Sequence, residues 1–323
     1  MLLTIGIPTY NRQAFLKENL DALFPQLRSY LDDVEVIVAD NASEDETKKV
    51  VEEASKEYNV PVIYKCQETN VGPEQNAVWI ADNANGKYLY LMGDDDILSP
   101  NFIEDIMPLL KSEENYVALH WNRLSGDAEC TNNRLVDPIY TGNASQTLTP
   151  HEFALRVMEK PNFISSIIFK KDVLTIGKSF FDDKYYGYRF FAQMYFGILL
   201  SSQKCLYYYF PLVIQRNPSK TWEKYWPQYL IGSLSEIFHD MDSYSPGVYR
   251  KWNVKLRKDV PKYLFGVARH REYYRTIDVR RQMNKYLTKG EKLIFYFYLY
   301  VPGSLFLYRV KHKLLSIINS LLG

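Results

Sequence analysis

Four polar turns, each directly after a strand-like segment, constrain the fold of the first 125 residues more than any other feature. The turns are PTYNR, DNAS, NVGPEQN and GDDD, and helix-like segments separate them. Strands and helices that alternate at this spacing predict right-handed crossovers and a mainly parallel sheet. Because the turns follow the carboxyl ends of parallel strands, where ligands of such sheets bind, we expect all four to open onto the same edge of the sheet, which places the aspartates at a cleft.

The individual elements follow from hydrophobic periodicity and from helix start signals. Strands are predicted at 2–7, 34–40, 60–66, 87–92, 117–124, 165–171 and 205–217. Asn11 is expected to cap the helix after the first strand, and Ser43 with Glu46 has capping-box spacing for the next helix. Gly72 and Pro73 predict the start of a third helix, which runs to about residue 85. A buried helix is expected from about residue 187.

The chain divides by composition into an α/β domain over residues 1–220 and a basic, aromatic, helical region over residues 221–323. From Val248 to Gly323 there are 17 Lys and Arg but only 4 Asp and Glu. The remaining residues include 22 Lys and Arg and 34 Asp and Glu. An acidic body with a basic end predicts an anionic partner for that end. Membrane lipid, nucleic acid and a phosphorylated carrier all fit this charge.

Helical spacing also predicts an amphipathic helix over residues 304–322, with an apolar stripe opposite basic side chains. Such a helix is typical of an interfacial anchor on an anionic membrane, and packing on the domain or on another subunit is the alternative. The three cysteines match no disulfide framework or zinc spacing, and the start of the chain does not resemble a signal peptide. No apolar run reaches the roughly 18 residues needed to span a bilayer. The basic end of the chain, together with a family resemblance carried by the four turns, leads us to expect a cytoplasmic protein, peripheral on the inner face of the cell membrane.

Asp94, Asp95 and Asp96 stand side by side immediately after an apolar strand. Two carboxylates about 4 Å apart repel by roughly 4 kcal/mol at an effective dielectric constant near 20. In a cleft, a proton or a cation must offset that repulsion. A solvated acidic turn before the helix at Ser99 and Pro100 is the alternative without a ligand.

The segments IPTYNR, DNAS, NVGPEQN and LMGDDDIL, followed by SPNF, resemble the family 2 glycosyltransferases with the GT-A fold in order and spacing. The resemblance covers roughly residues 3–105 and continues loosely to about residue 220. It implies an α/β fold, a GT-A-like mainly parallel mixed sheet flanked by helices, with a helical C-terminal extension. It also implies a hexosyltransferase that is metal-dependent, uses a nucleotide-sugar donor and inverts the transferred sugar by direct displacement.

The resemblance assigns roles to residues of the four turns. Asp96 matches the metal-binding position, with Asp94 as the other acid of an Asp-x-Asp motif, and hard carboxylate oxygens suit Mn²⁺ or Mg²⁺. Asp95 is expected to face ribose or sugar hydroxyls. Asp40 matches the position that binds the nucleobase, where a carboxylate fits uracil or thymine; a favourable charge before a helix is its alternative.

The remaining residues expected at the nucleotide sugar act through stacking, charge or turn geometry. Tyr10 is expected against the base and Arg12 at a phosphate, with a solvated salt bridge as the alternative for Arg12. Pro8, with Thr9, shapes the first turn. Asn70, Gly72 and Gln75 precede or open a helix. The N-terminus of that helix favours an anion, and helix capping alone is the alternative for these residues. Arg216 is expected to close over the diphosphate as a lid, with an arginine in a surface loop as the alternative.

The catalytic base is the point at which this sequence departs from the family. An acidic pair is common in the family near the start of the helix expected at residue 187, but this chain has YYGYRFF there. Asp183 is the nearest nominee and Asp182 the second, with a solvated loop pair as the alternative. His120 would either reach the acceptor or lie satisfied in the core.

The expected function is therefore transfer of a sugar, with UDP favoured as the carrier, to a glycan or lipid-linked acceptor in cell-surface polysaccharide or glycolipid assembly. Nucleic acid is not an expected partner. A sugar-phosphate nucleotidyltransferase would need a glycine-rich loop after the first strand, which IPTYNR lacks. A phosphatase with an aspartate nucleophile would carry its acids after the first strand, not the fourth. A catalytically inactive nucleotide-sugar-binding module is the remaining alternative.

Overall fold

The structure is a computed structural model that describes residues 1–127, 129–130, 132–136, 145–157, 163–179, 188–216, 225, 227–302 and 304. The chain forms two compact units, Met1–Pro218 and Ser219–Gly323.

The first unit is an α/β sheet with helices. Its strands are β1 (Leu3–Thr9), β2 (Val34–Asp40), β3 (Val62–Cys66), β4 (Tyr88–Leu91), β5 (Ile97–Leu98), β6 (Ala118–Gly126), β7 (Arg134–Leu135), β8 (Ser145–Leu148), β9 (Ile167–Lys170) and β10 (Cys205–Arg216). Its helices are α1 (Gln13–Leu23), α2 (Thr47–Tyr58), α3 (Pro73–Asn83), α4 (Phe102–Lys111), α5 (Pro150–Val157), α6 (Asp172–Lys178) and α7 (Arg189–Leu199). Short 3₁₀ turns lie at Phe24–Leu27 and Ile164–Ser166.

The strand order is β3-β2-β1-β4-β9-β6-β10-β5, with β7 beside β6 and β8 beside β10. Strands β3, β2, β1 and β4 are parallel, and β9 runs antiparallel to both β4 and β6. Strand β6 therefore runs in the same direction as β1, and β10 lies parallel to β6. This mixed, mainly parallel sheet confirms the predicted fold class, and the carboxyl ends of β1, β2, β4 and β6 share one edge.

The core explains why these segments form strands. Every residue of β2 is buried, as expected for a strand covered on both faces. Tyr90 of β4, Phe102 of α4 and Trp121 of β6 form a ring cluster, with centroids 5.2–5.5 Å apart. Aromatic pairs of this kind contribute about 0.5–1.5 kcal/mol each beyond the area that they bury. The cluster fixes the position of α4, the helix that follows the acidic turn.

Two predicted helix starts are wrong. Asn11 has a left-handed backbone, with φ of 51°, and does not cap α1. Helix α2 begins at Thr47, whose N–H donates to Asp45 Oδ1, so Ser43 and Glu46 form no capping box. The Ser43 hydroxyl instead accepts the N–H of Asn11. These polar side chains join two loops to each other and do not cap the helices that follow them.

The second unit is helical in its described part. A π-helical segment, Gln228–Ser233, leads into α8 (Leu234–Met241), α9 (Val248–Arg269), α10 (Arg271–Arg275), α11 (Ile277–Tyr286) and α12 (Lys289–Tyr300). Trp252 packs on Phe238 and donates its indole N–H to the Ser235 hydroxyl. Thr288 and Glu291 form a capping box at the start of α12. Among the described residues, no helix has the length and apolar character needed to cross a membrane.

The predicted amphipathic helix over residues 304–322 lies outside the described residues, apart from Ser304. The interfacial role assigned to it stays a prediction.

Candidate functional site

Side-chain hydrogen bonds connect all four predicted turns at the carboxyl edge of the sheet. They run from Asn41 Nδ2 to Asn70 Oδ1 at 2.9 Å, from Asn11 N to Ser43 Oγ at 2.8 Å, and from Thr9 Oγ1 to Asp94 Oδ2 at 2.8 Å. The third turn is thereby tied to the second, the second to the first, and the first to the acidic turn. The prediction that the four turns meet at one edge is confirmed.

Arg12 neutralises part of the acidic cluster, which is defined here as Asp94, Asp95 and Asp96. Its Nη1 lies 2.9 Å from Asp94 Oδ1 and 2.8 Å from Asp95 Oδ2. The Arg12 side chain is only 17% exposed. The solvated salt bridge considered from the sequence is therefore wrong, because this guanidinium lies largely out of solvent between two carboxylates.

Asp96 is the most enclosed acid of the cluster, at 3% exposure. Its Oδ2 accepts the Ser165 hydroxyl at 2.6 Å, and its Oδ1 accepts the backbone N–H of Arg216 at 3.2 Å. The Ser165 hydroxyl also accepts the N–H of Gly93 at 2.8 Å. Asp96 thus connects the acidic turn to the segment before β9 and to the end of β10.

Burial governs the electrostatics of the cluster. It raises the pKa of Asp94 to about 6, although Arg12 pulls in the opposite direction. It likewise raises the pKa of Asp95. The pKa of Asp96 lies well above its ordinary value because the carboxyl is buried and Asp95 is nearby. Arg12 bonds directly to Asp94 and Asp95, and buried acids with raised pKa values of this kind cluster at functional sites.

Two residues that the sequence reasoning missed support the acidic turn. Asn19 of α1 is fully buried, and its Nδ2 donates to the carbonyls of Gly93 and Asp96 at 2.9 and 2.8 Å. The signal for Asn19 was available, since it is a polar residue within the apolar stripe that contains Phe15, Leu16, Leu20 and Leu23. Ser165 gave no such signal, because a serine before a strand is common.

Asp40, the expected nucleobase ligand, is held by its own neighbours. Its Oδ1 accepts the N–H of Ser43 at 2.8 Å, and its Oδ2 accepts the Tyr64 hydroxyl at 2.6 Å. Burial and the bond to Asp40 raise the pKa of the Tyr64 phenol. Tyr64 is a further residue that the sequence did not single out, and it fixes the carboxylate orientation at the end of β2.

The other nucleotide-sugar candidates lie along the same edge at different depths. Pro8 lies within β1, Tyr10 is 39% exposed just beyond it, and Gln75 is exposed in the first turn of α3. Asn70 is exposed and bonded to Asn41. Their roles toward a ligand stay predictions.

Arg216 is the last residue of β10, and its guanidinium donates to Glu18 of α1 at 2.6 Å. Its side chain is buried, so the surface-loop alternative is wrong. The expected role of Arg216 as a lid over the diphosphate stays a prediction.

The nominees for the catalytic base, Asp182 and Asp183, lie outside the described residues. His120, the other acceptor-side candidate, is buried, faces the Ser166 hydroxyl through Nε2 at 3.2 Å and stacks on Tyr207.

Glu74, which the sequence did not single out, lies in the first turn of α3 and joins this helix to α7. Its carboxylate accepts the N–H of Phe190 at 3.0 Å. Burial raises the pKa of Glu74.

In the described part of the chain, no three His, Cys, Asp or Glu side chains are arranged to hold a metal ion. The chemistry of the acidic cluster nevertheless fits a hard divalent cation, because its donors are carboxylate oxygens and two of them are buried with raised pKa values. Asp96 and Asp94 are the residues that would hold such an ion, and Arg12 lies beside Asp94.

The mixed, mainly parallel sheet flanked by helices is an α/β fold of the GT-A type, and solved structures share it. TarS residues 1–349 from S. aureus, in complex with UDP-GlcNAc, match with a TM-score of 0.55 at 14% identity, over 92% of this chain and 91% of that chain. The longer TarS chain gives a TM-score of 0.56 at 16% identity, with 92% of this chain and only 52% of TarS covered. Mannosyltransferase PcManGT from Pyrobaculum calidifontis, in complex with GDP-Man and Mn²⁺, has a TM-score of 0.55 at 17% identity, over 92% and 84%.

The family follows from the sequence match. Residues 4–165, half of the chain, match the model of Glycosyl transferase family 2, and the chain belongs to this family. Abequosyltransferase RfbV of Salmonella typhimurium is 28% identical over 243 residues, which is 69% of each chain. The predicted family and the prediction of a glycosyltransferase are both confirmed.

Proposed function

We propose that this chain is a metal-dependent, inverting glycosyltransferase that moves a sugar from UDP to an acceptor hydroxyl in cell-surface polysaccharide or glycolipid assembly. The observation that carries the proposal is the acidic cluster, buried at the carboxyl edge of the sheet and joined by Arg12 and Thr9 to the turn after β1. Family membership supplies the reaction class. The name of RfbV and the ligands of TarS and PcManGT support sugar transfer from a nucleotide donor.

The donor nucleotide would lie along the turns after β1 and β2. Asp40 accepts hydrogen bonds and donates none, so its free acceptor capacity suits a pyrimidine N–H such as that of uracil. Tyr10, exposed just beyond β1, supplies a ring surface for the base. Arg12, Asn70 and Gln75 provide donors for phosphate and ribose oxygens, with Pro8 shaping the turn. This arrangement is the basis for favouring UDP.

The diphosphate would face the acidic cluster, with Asp96 and Asp94 as ligands of Mn²⁺ or Mg²⁺ and Asp95 toward sugar hydroxyls. A bound divalent cation supplies Lewis-acid stabilisation of the departing diphosphate. Arg12 offsets the charge of Asp94 and Asp95, and Arg216 reaches the edge from β10 to face the leaving group. Ser165 and Asn19 hold the acidic turn in a single conformation, so the carboxylates need little reorganisation when a donor binds.

Proton transfer from the acceptor hydroxyl requires a carboxylate on the other side of the sugar. Asp183, with Asp182 second, is proposed for this role because these acids precede α7 in the chain. The first unit is proposed as the catalytic domain, 1–220, and the basic region, 221–323, as the part that meets an anionic membrane carrying a lipid-linked acceptor. The cytoplasmic face of the cell membrane is the matching location.

The test is calorimetric titration of the full chain with UDP and with a panel of nucleotide sugars, with and without Mn²⁺. We expect UDP to bind more tightly with Mn²⁺, and we expect Asp96→Asn to abolish that gain. Asp82→Asn, an exposed acid on α3, is the matched control. If Asp96→Asn keeps the Mn²⁺-dependent gain, the metal assignment is wrong. Donor binding without turnover on any acceptor would instead indicate an inactive binding module.

A further inference from the structure

Arg123 of β6 is a basic residue near the acidic cluster that the proposed reaction does not use. It pairs in register with Val213 of β10 and is partly buried. Its Cζ lies 4.7 Å from the centre of the Phe163 ring, and its Nε donates to Gln215 Oε1 at 2.8 Å. The ring and the amide hold the guanidinium in place without neutralising it.

The guanidinium end of the Arg123 side chain has no ion-pair partner among the described residues. Arg12 and Arg216 each form an ion pair with a carboxylate, whereas Arg123 forms none with any residue of the described chain. Its two Nη groups donate no hydrogen bond there either. A guanidinium fork presents several N–H donors in one plane, a geometry that matches the oxygens of phosphate or carboxylate.

Holding this charge is costly for the folded chain. Burial lowers the pKa of Arg123 to about 10, although the nearby Asp96 carboxylate favours the charged form. Buried charges are normally paired, because an unpaired charge loses its hydration and gains no compensating interaction. An anionic group from outside the chain would supply the missing partner.

The position of Arg123 in the sheet separates it from the part of the carboxyl edge that is proposed to hold the nucleotide. Strand β6 lies two strands from β4, roughly 10 Å away, and on the side opposite to β2 and Asp40. Phe163 connects Arg123 to the segment of Ser165, which bonds Asp96. Arg123 therefore lies on the far side of the acidic cluster from the proposed nucleobase position. This is the side from which an acceptor would approach.

We propose that the Arg123 guanidinium binds a phosphate group of the acceptor through its two Nη groups. This rests on the proposed function, in which the acceptor is lipid-linked, and it makes that acceptor more specific: its sugar is joined to the lipid through a diphosphate. Phosphate could also come from the donor diphosphate, and the experiment separates these two sources.

The experiment titrates the full chain with two probes, UDP in the presence of Mn²⁺ and farnesyl diphosphate as a short prenyl diphosphate. Arg123→Met removes the charge but keeps a long side chain against Phe163, and Arg123→Lys keeps the charge without the fork. Arg28→Met, at an exposed arginine after the 3₁₀ turn, is the control. We expect Arg123→Met to lower the affinity for farnesyl diphosphate at least about tenfold and Arg123→Lys to lower it less. We expect the affinity for UDP to stay unchanged in both variants.

The other outcomes overturn either the role of Arg123 or the proposed transferase function, and the two failures are distinguishable. A parallel loss of UDP affinity would assign Arg123 to the donor diphosphate. Unchanged binding of both probes in both variants would make Arg123 a structural arginine, while the proposed transferase function would stand. If the native chain binds no nucleotide sugar, the proposed function fails on its own, whatever farnesyl diphosphate does. Thermal unfolding of each variant, with and without farnesyl diphosphate, identifies a variant that merely fails to fold.

Discussion

Gly93 shows how tightly single residues pack at the acidic edge. A Cβ atom on Gly93 would lie 2.7 Å from Asp96 Oδ2 and 3.3 Å from both Asp95 Oδ1 and Ser165 Oγ. The first distance is shorter than any normal contact, so an added methyl must displace a carboxylate that two hydrogen bonds hold in place. The absence of a side chain at this position is what lets the strand end lie against the acids.

We predict that Gly93→Ala lowers the free energy of unfolding by about 1–3 kcal/mol, the usual cost of overpacking, and weakens UDP binding. Gly290→Ala is the control, because nothing lies within 4 Å of its Cβ position and alanine is the better residue in a helix. Urea unfolding and UDP titration measure both effects. A Gly93→Ala variant as stable as the native chain would mean that the acidic turn adapts more freely than its contacts indicate.

Asp94 gives a prediction about pH. Its pKa rises from 3.8 in the unfolded chain to about 6 in the folded one, mainly through burial. Between these values the unfolded chain loses the proton first, so the contribution of Asp94 to stability is complete below about pH 4 and is lost as the pH rises through 6. Above pH 6 the ionised carboxylate costs about 3 kcal/mol.

We therefore predict that Asp94→Asn, which cannot ionise, matches the native chain near pH 4 and exceeds its free energy of unfolding by up to about 3 kcal/mol at pH 7.5. Urea unfolding across this range, in a chelator, measures the difference. The exposed Asp32→Asn variant should show no such trend. If Asp94→Asn is the less stable protein at pH 7.5, then its bond to Arg12 outweighs the cost of burial, and the acidic cluster is not strained.

At the scale of elements, continuous apolar strands were the most predictable part of the fold. Strand β2 was predicted at the bounds observed, Val34–Asp40, because every position is buried and the flanking residues are polar. The start of α3 at Pro73 was also correct, since Gly72 has a positive φ that ends the preceding turn. Strands β5, β7 and β8 were missed. Strands β5 and β7 have only two residues each, and β8 is a short strand of mostly polar residues, so none has a hydrophobic pattern of its own.

The helix caps failed for a different reason. Asn11 and Ser43 have the chemistry of caps, yet they bond to each other across the edge. A short-range rule could not show this, because the bond joins residues 32 positions apart. The same limit applies to the site. The acids and Arg12 were found from their positions after strands, but Ser165 and Tyr64 act through partners that only the fold brings close.

At the scale of the whole molecule, the basic C-terminal region carries an unusual surface. Helix α12 buries Phe295, Tyr298 and Leu299, but it exposes large apolar side chains on its other face. These are Leu293 at 75% exposure, Ile294, Phe297 and Tyr300, and the exposed Val301 follows directly after the helix. Exposed apolar side chains beside clustered lysine and arginine suit an anionic lipid surface.

We predict that the full chain sediments with vesicles of phosphatidylglycerol but not of phosphatidylcholine, and that Leu293→Ser combined with Phe297→Ser reduces binding at least about fivefold. Val254→Ser, which removes a single exposed apolar side chain from α9, should have little effect. A chain that ends at Pro302 decides whether the predicted helix over 304–322 contributes. Equal sedimentation with both lipids, or none at all, would remove the membrane from the proposed function.

The hydrogen bonds that tie the four turns together also decide how experiments on this edge must be interpreted. A substitution in one turn changes the position of the next, because side-chain hydrogen bonds join the turns in series. These bonds join Asn41 to Asn70, Asn11 to Ser43 and Thr9 to Asp94. Losses measured one variant at a time will then fail to add up, and their sum will overstate the contribution of the whole edge. Double-mutant cycles across neighbouring turns are the appropriate instrument, since the energetic unit here is the connected set and not its members.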